Sequence, residues 1–301
     1  MGAGSRVKAR LAAGRDATHD EGMRLRPVAR LTGLSPRRRA FLATVALIVV
    51  ALAAVSGVRL ATAGGSPASG DNPGPTAQRS DVLLVPGYGG STTALDQLAG
   101  RLRHSGQRAT VVQLPGNGTG DLREQARVLN GYVNRALRNG SGPVTVIGYS
   151  AGGVVAWLWD VNYHATPKVR RFITLGSPLH GANLAALGTA FDPGECPAAC
   201  QQLAPGSSLL SALQQAPAAT RPPWLSLWTT QDQVVQPPDS ARLAGAVNVP
   251  LQSICPGVDI SHGQLPVSPL VTGIVRQSLG RAPLAAPTAA QCQSLQAQGQ
   301  S

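Results

Sequence analysis

The stretch "VTVIGYSAGGVVAWLW", Val144 to Trp159, opens with a β-branched run and continues into small and apolar residues. Its first half reads as a buried strand, Val144 to Ile147, and its second half as a helix starting at Ala151. Between them lies "GYSAG", Gly148 to Gly152, a match to G-x-S-x-G. A pattern this short arises readily by chance in a chain with 35 glycines, so its setting has to decide its meaning. Strand–turn–helix is the setting a nucleophilic serine needs. Ser150 would sit in a tight, strained turn, with Gly148 and Gly152 small enough to clear the neighbouring strand and helix. The N-terminus of the helix would place unpaired N–H groups and the positive end of a dipole beside its oxygen. The plain alternative is a helix-capping serine after a strand.

Outward from this point, other short Val/Ile/Leu-rich runs repeat: Val82–Val85, Thr110–Leu114, Phe172–Leu175, Leu225–Thr229 and Val247–Leu251. They are nearly continuous in apolar character, as strands buried on both faces are. Amphipathic segments separate them: "TTALDQLAGRLRHSG", "DLREQARVLNGYVNRALRNG" with Asp121 as its cap, and "PVSPLVTGIVRQSLG", which closes the domain. This alternation predicts an α/β fold: a doubly wound, mostly parallel sheet of about six strands flanked by helices. Gly181 to Pro223 breaks the rhythm with Pro, Gly, Gln and Ala and reads as a small cap insertion, residues 181–223.

The 301 residues carry a formal charge of +12, which raises the question of nucleic acid. The charge is concentrated at the start, however. Residues 1–40 hold ten Lys/Arg and three Asp/Glu, while from residue 64 onward 15 basic residues face 11 acidic ones. No basic cluster there is interleaved with aromatics, so a nucleic-acid partner is not expected. Residues 1–39 form a basic leader. Residues 40–63 contain the uncharged run "AFLATVALIVVALAAVSGV", Ala40 to Val58, long enough as a helix to span about 28 Å. With "PRRR" on its N-terminal side, the leader belongs in the cytoplasm and the remainder outside. The segment reads either as a transmembrane signal anchor or as a signal peptide cut near Ala61–Ala63. Arg38–Leu42 resembles a twin-arginine signal, and Met23 is an alternative start. Residues 64–80 read as a flexible Gly/Ser/Pro linker, and 81–301 as the catalytic domain. All four cysteines lie in that exported part. Three pairings are open; Cys196–Cys200 and Cys255–Cys292 are the favoured disulfides. No histidine has finger-like spacing to Cys196 and Cys200, so no metal is expected there.

In open α/β sheets the functional residues gather at the carboxyl ends of the strands. "LLVPGYGGST" follows the first strand. It lacks the GK[ST] ending of a phosphate loop, and reads instead as an oxyanion loop. The donors would be the backbone N–H groups of Tyr88 and Ala151. Among five histidines, His262 lies on the final loop, where a general base reaches Ser150. His180, at a strand end, reads as a structural or pocket-lining residue. Asp232 follows the strand Leu225–Thr229 and can orient His262; Asp259 is its rival, while Asp160 and Asp192 lie elsewhere. The order Ser150, Asp232, His262 is that of α/β-hydrolases.

With these residues in place, the domain resembles the actinobacterial secreted lipases and esterases of the α/β-hydrolase superfamily, over about Asp81 to Cys292. The matching segments are "LLVPGYGGS", "VTVIGYSAGG", "ITLGSPLHGANLA", "CPAACQQLAPGSSLLSAL", "TTQDQVVQP" and "ISHGQLPVSP". Pro86 stands where many relatives have histidine; the oxyanion donors are main-chain groups, so the mechanism is retained. The resemblance implies ester hydrolysis by a serine triad without a cofactor; lipid or acyl esters are the expected substrates, and an exported monomer the expected form. The rival readings are an acyltransferase using the same acyl-enzyme and a non-catalytic cell-surface binding module.

Overall fold

The computed structural model describes residues 80–183, 196–217 and 221–300, all within the compact unit Pro75–Ser301. The basic leader, the apolar run Ala40–Val58, the Gly/Ser/Pro linker up to residue 79 and Asp192 lie outside the described residues. No described helix is long and apolar enough to cross a membrane.

Six strands form one parallel sheet: β1 (Ser80–Val85), β2 (Arg108–Val111), β3 (Gly142–Tyr149), β4 (Val169–Leu175), β5 (Trp224–Trp228) and β6 (Val247–Pro250), in the order β2-β1-β3-β4-β5-β6. Alternate side chains enter two separate cores. Leu83, Val85, Val144, Val146, Phe172 and Trp224 face α2 (Leu122–Arg138) and α3 (Ala151–Tyr163). Val82, Leu84, Ile147, Ile173, Leu225 and Val249 face α1 (Thr93–His104) and α7 (Pro269–Ser278). The sheet is therefore covered on both faces, which is why its central strands carry apolar residues almost without interruption. Stacking of Phe172 on Trp224, with centroids 4.4 Å apart, and the edge of Trp159 against Phe172 fill the first core.

Helix α3 is apolar all round, and Ala151 to Asp160 are all buried, as befits a helix enclosed on every side. α2 starts at the expected cap: the Asp121 carboxylate accepts from the Arg123 amide at 2.8 Å. Between residues 181 and 223, the described residues contain α4 (Ala198–Gln202) and α5 (Ser208–Gln215). Gln202 grips the start of α2, donating to Asp121 and accepting from the Leu122 amide, both at 2.8 Å. Both favoured disulfides are present, Cys196–Cys200 across α4 and Cys255–Cys292.

Two elements differ from expectation. β2 spans Arg108–Val111, not Thr110–Leu114, because it is an edge strand. Its residues alternate exposed and buried, Arg108 is ion-paired to Asp81 at 2.5 Å, and the ladder ends as the Val112 amide reaches the Leu84 carbonyl at 2.8 Å. The domain also does not close with α7. A short α6 (Leu251–Ile254) follows β6, and the chain ends in α8 (Cys292–Gln300), packed on α7. Leu295 is its buried apolar residue. The close approach comes from glycine: a Cβ on Gly273 would overlap the Leu295 carbonyl, and one on Gly299 the Pro269 carbonyl.

Candidate active site

The strand order reverses around β1: the chain runs outward from β1 to β2, then crosses back to β3 and proceeds the other way. A crevice at the carboxyl ends of β1 and β3 is where such a sheet holds its ligands. Ser150 stands at the end of β3 and caps α3, with φ 52° and ψ −127°. A non-glycine residue held there stores strain on the order of 1–3 kcal/mol. The surrounding glycines permit the turn. A Cβ on Gly148 would lie 2.5 Å from the Gly153 Cα, and one on Gly152 would overlap the Val85 carbonyl at the end of β1. Gly148 therefore clears the first turn of α3, and Gly152 clears β1. Gly153, which sequence reading passed over, clears Ser177 in the same way.

The loop after β1 closes on Ser150. A Cβ on Gly87 would sit 2.9 Å from the Ser150 Cβ. Gly87 to Gly90 form a turn, with the Gly90 amide donating to the Gly87 carbonyl at 3.1 Å and Gly89 at φ 84°. Tyr88 lies in that turn. Ala151 is the first residue of α3, where an N–H has no partner within the helix. Gly118, on the loop after β2, braces the turn from outside; its Cβ would lie 2.8 Å from the Gly90 nitrogen.

His262 and Asp232 meet beyond the end of β4. The His262 Nδ1 and Asp232 Oδ2 are 2.6 Å apart, and the two residues are 7% and 1% exposed. The other oxygen, Oδ1, accepts from the amides of Val234 and Val235 at 2.9 and 2.8 Å. These bonds fix both the carboxylate and the imidazole ring. The Ser150 amide donates to the Leu175 carbonyl at 2.9 Å. The next residue, Gly176, has φ 56°, and a Cβ there would lie 3.2 Å from both Asp232 Oδ2 and His262 Nδ1. Gly176 thus lets the acid–histidine pair approach the end of β4 beside the serine. Tyr149, immediately before Ser150, packs its ring 5.2 Å from that of His262 and donates its hydroxyl to the His262 carbonyl at 3.3 Å. Burial, and then the charge of Asp232, raise the Tyr149 phenol well above its usual range, so it remains a neutral donor.

The loops carrying the acid and the histidine are laced together by glutamines. Gln252 accepts from the Thr230 amide at 2.9 Å and donates to the Thr229 hydroxyl at 2.9 Å. Gln231 accepts from the Ile260 amide at 3.1 Å. A capping box between Ser261 and Gln264 then starts the short helical turn His262–Val267. Gly176, Tyr149, Gln231 and Gln252 were not singled out from the sequence. The "LG" step after a buried strand was the available signal for Gly176; the glutamines carried none.

The remaining candidates have other surroundings. Asp259 lines a cavity of about 340 Å³ beside α8. His180 is exposed and directs Nδ1 to the Ser240 carbonyl at 3.2 Å. Asp160 is ion-paired with Arg221 at 3.3 Å.

The six-stranded parallel sheet flanked by helices has counterparts among solved structures. The fold is that of the α/β-hydrolases. The chain is similar to Aspergillus fumigatus lipase B, at 20% identity and a TM-score of 0.58 over 68% of this chain; the match spans 53% of that lipase, about half its length. It is similar to a Bacillus licheniformis lipase in mature form, at 18% identity and a TM-score of 0.54 over 71% of this chain and 96% of that one. A metagenome-derived lipolytic enzyme gives 15% identity and a TM-score of 0.52 over 67% of this chain and 94% of the other. No family model matches the sequence, and no curated protein is significantly similar to it.

Proposed function

We propose that the protein is a serine hydrolase of carboxylic esters, acting on lipid or other acyl esters through Ser150, His262 and Asp232. The 2.6 Å contact of His262 Nδ1 with a carboxylate that is 1% exposed carries this reading. With Nδ1 donating to Asp232, Nε2 is the basic nitrogen. It removes the Ser150 proton as Oγ attacks the ester carbonyl, and the N–H groups of Tyr88 and Ala151 hold the oxyanion. The imidazolium then protonates the leaving alcohol. Water, deprotonated by the same nitrogen, releases the acid and regenerates the serine. No step calls for a cofactor. The basic leader and the apolar run before the domain, together with the two disulfides, support export with the domain outside the cell, released or held by an N-terminal anchor. We take the domain to act as a monomer on a small or lipid ester.

The purified protein is expected to release free acid and alcohol from p-nitrophenyl acetate, butyrate and octanoate, with one chain length preferred. Absence of turnover on the whole series would remove the ester-hydrolase assignment. Transfer to added alcohol in preference to water would make the enzyme an acyltransferase.

A further inference from the structure

About 15 Å along α3 from Ser150, at the far end of that helix, lies a cavity of about 440 Å³ lined by Asp160, Val161, His164, Ala165, Pro217 and Arg221 among others. Arg221 is unusual in its burial. Its side chain is 7% exposed, and its guanidinium lies over the rings of Trp157 at 5.4 Å and Trp224 at 5.9 Å. A guanidinium offers five N–H donors. The Nε lies 3.3 Å from Asp160 Oδ2 without making a hydrogen bond, and no described residue is hydrogen-bonded to the terminal nitrogens. Nearby, the buried Trp157 indole N–H also has no acceptor among the described residues. Unused donors on a buried, cavity-lining cation are costly unless something accepts from them. Burial outweighs the attraction of Arg221 and pushes the Asp160 carboxyl up to about 6, so at neutral pH it is still largely ionised and meets Arg221 only on the Nε side.

We propose that this cavity is a binding site for a small aliphatic carboxylate, held by the terminal N–H groups of Arg221, with its chain against Val161, Ala165 and Pro217. The planar fork matches a carboxylate in two parallel hydrogen bonds. The volume suits a short chain, and the site is separate from the serine centre, so its occupancy does not depend on the reaction assigned there.

The test is calorimetric titration of sodium butyrate into the full-length protein, at ionic strength matched with chloride. One saturable site per chain is expected. Ala216→Phe fills the cavity without touching the ion pair, and Asp160→Asn combined with Arg221→Gln removes both charges together. Each is expected to weaken butyrate at least about tenfold. In wild-type protein carrying ¹³C-labelled histidine, the His164 ring signal, assigned through His164→Gln, should shift along the same titration; that readout needs no core variant. Unchanged binding in either folded variant, an unmoved His164 signal, or no saturable binding to the wild type would overturn the proposal. Saturation by inorganic phosphate in place of butyrate would overturn the carboxylate assignment.

Discussion

Ser150→Ala is expected to lower kcat for p-nitrophenyl butyrate by about 10⁴–10⁶-fold while leaving the protein folded. The substitution removes one oxygen from a side chain that is 6% exposed and introduces no new bulk. The backbone strain at φ 52° is inherited unchanged by alanine, so melting temperature should move little. What is lost is the nucleophile. Residual hydrolysis above the buffer rate would come from the oxyanion donors and from substrate positioning alone. Kinetics on the purified variant, with circular dichroism as the folding control, check this. Wild-type turnover in the folded variant would show that Ser150 is only a helix cap.

Asp232→Asn is expected to reduce kcat by about 10⁴-fold, although it changes a single atom. The reason lies in the two faces of the carboxylate. Oδ1 receives two backbone N–H groups, from Val234 and Val235, and an amide –NH₂ cannot replace it there. The amide nitrogen must therefore take the position of Oδ2, facing His262 Nδ1 at 2.6 Å. As a donor it requires Nδ1 to be the unprotonated nitrogen, which moves the imidazole proton to Nε2. A ring in that tautomer cannot accept the proton of Ser150. Parallel kinetics on Asp259→Asn separate the two acids: the cavity-lining Asp259 should retain near wild-type turnover. A large loss at Asp259 with none at Asp232 would reverse the assignment.

The central sheet was legible in the sequence because its inner strands are covered on both faces, so Val144–Ile147 and Phe172–Leu175 read as nearly continuous apolar runs. The edge strand β2 was misplaced for the complementary reason, since its exposed face gives "RATV" an alternating pattern. α8 escaped notice because its contact with α7 rests on Gly273 and Gly299 meeting carbonyl groups, and close backbone approach leaves no apolar stripe to read. At the site, Ser150, Asp232 and His262 stood out by residue type and by their places after successive strands. Gly176, Tyr149 and Gln252 act through contacts between loops far apart in the chain. Nothing local in "TLGSP" states that its glycine will face an aspartate 56 positions onward.

The most direct test of the central claim is covalent capture. A fluorophosphonate transfers its phosphonyl group to a serine oxygen activated by a histidine, with loss of fluoride. Treated with such a reagent and digested, the wild-type protein is predicted to carry one adduct, on Ser150, in the peptide containing "GYSAGG". His262→Ala should slow its formation at least about 100-fold. An adduct on any other serine, or labelling of Ser150 at an undiminished rate without His262, would contradict the account.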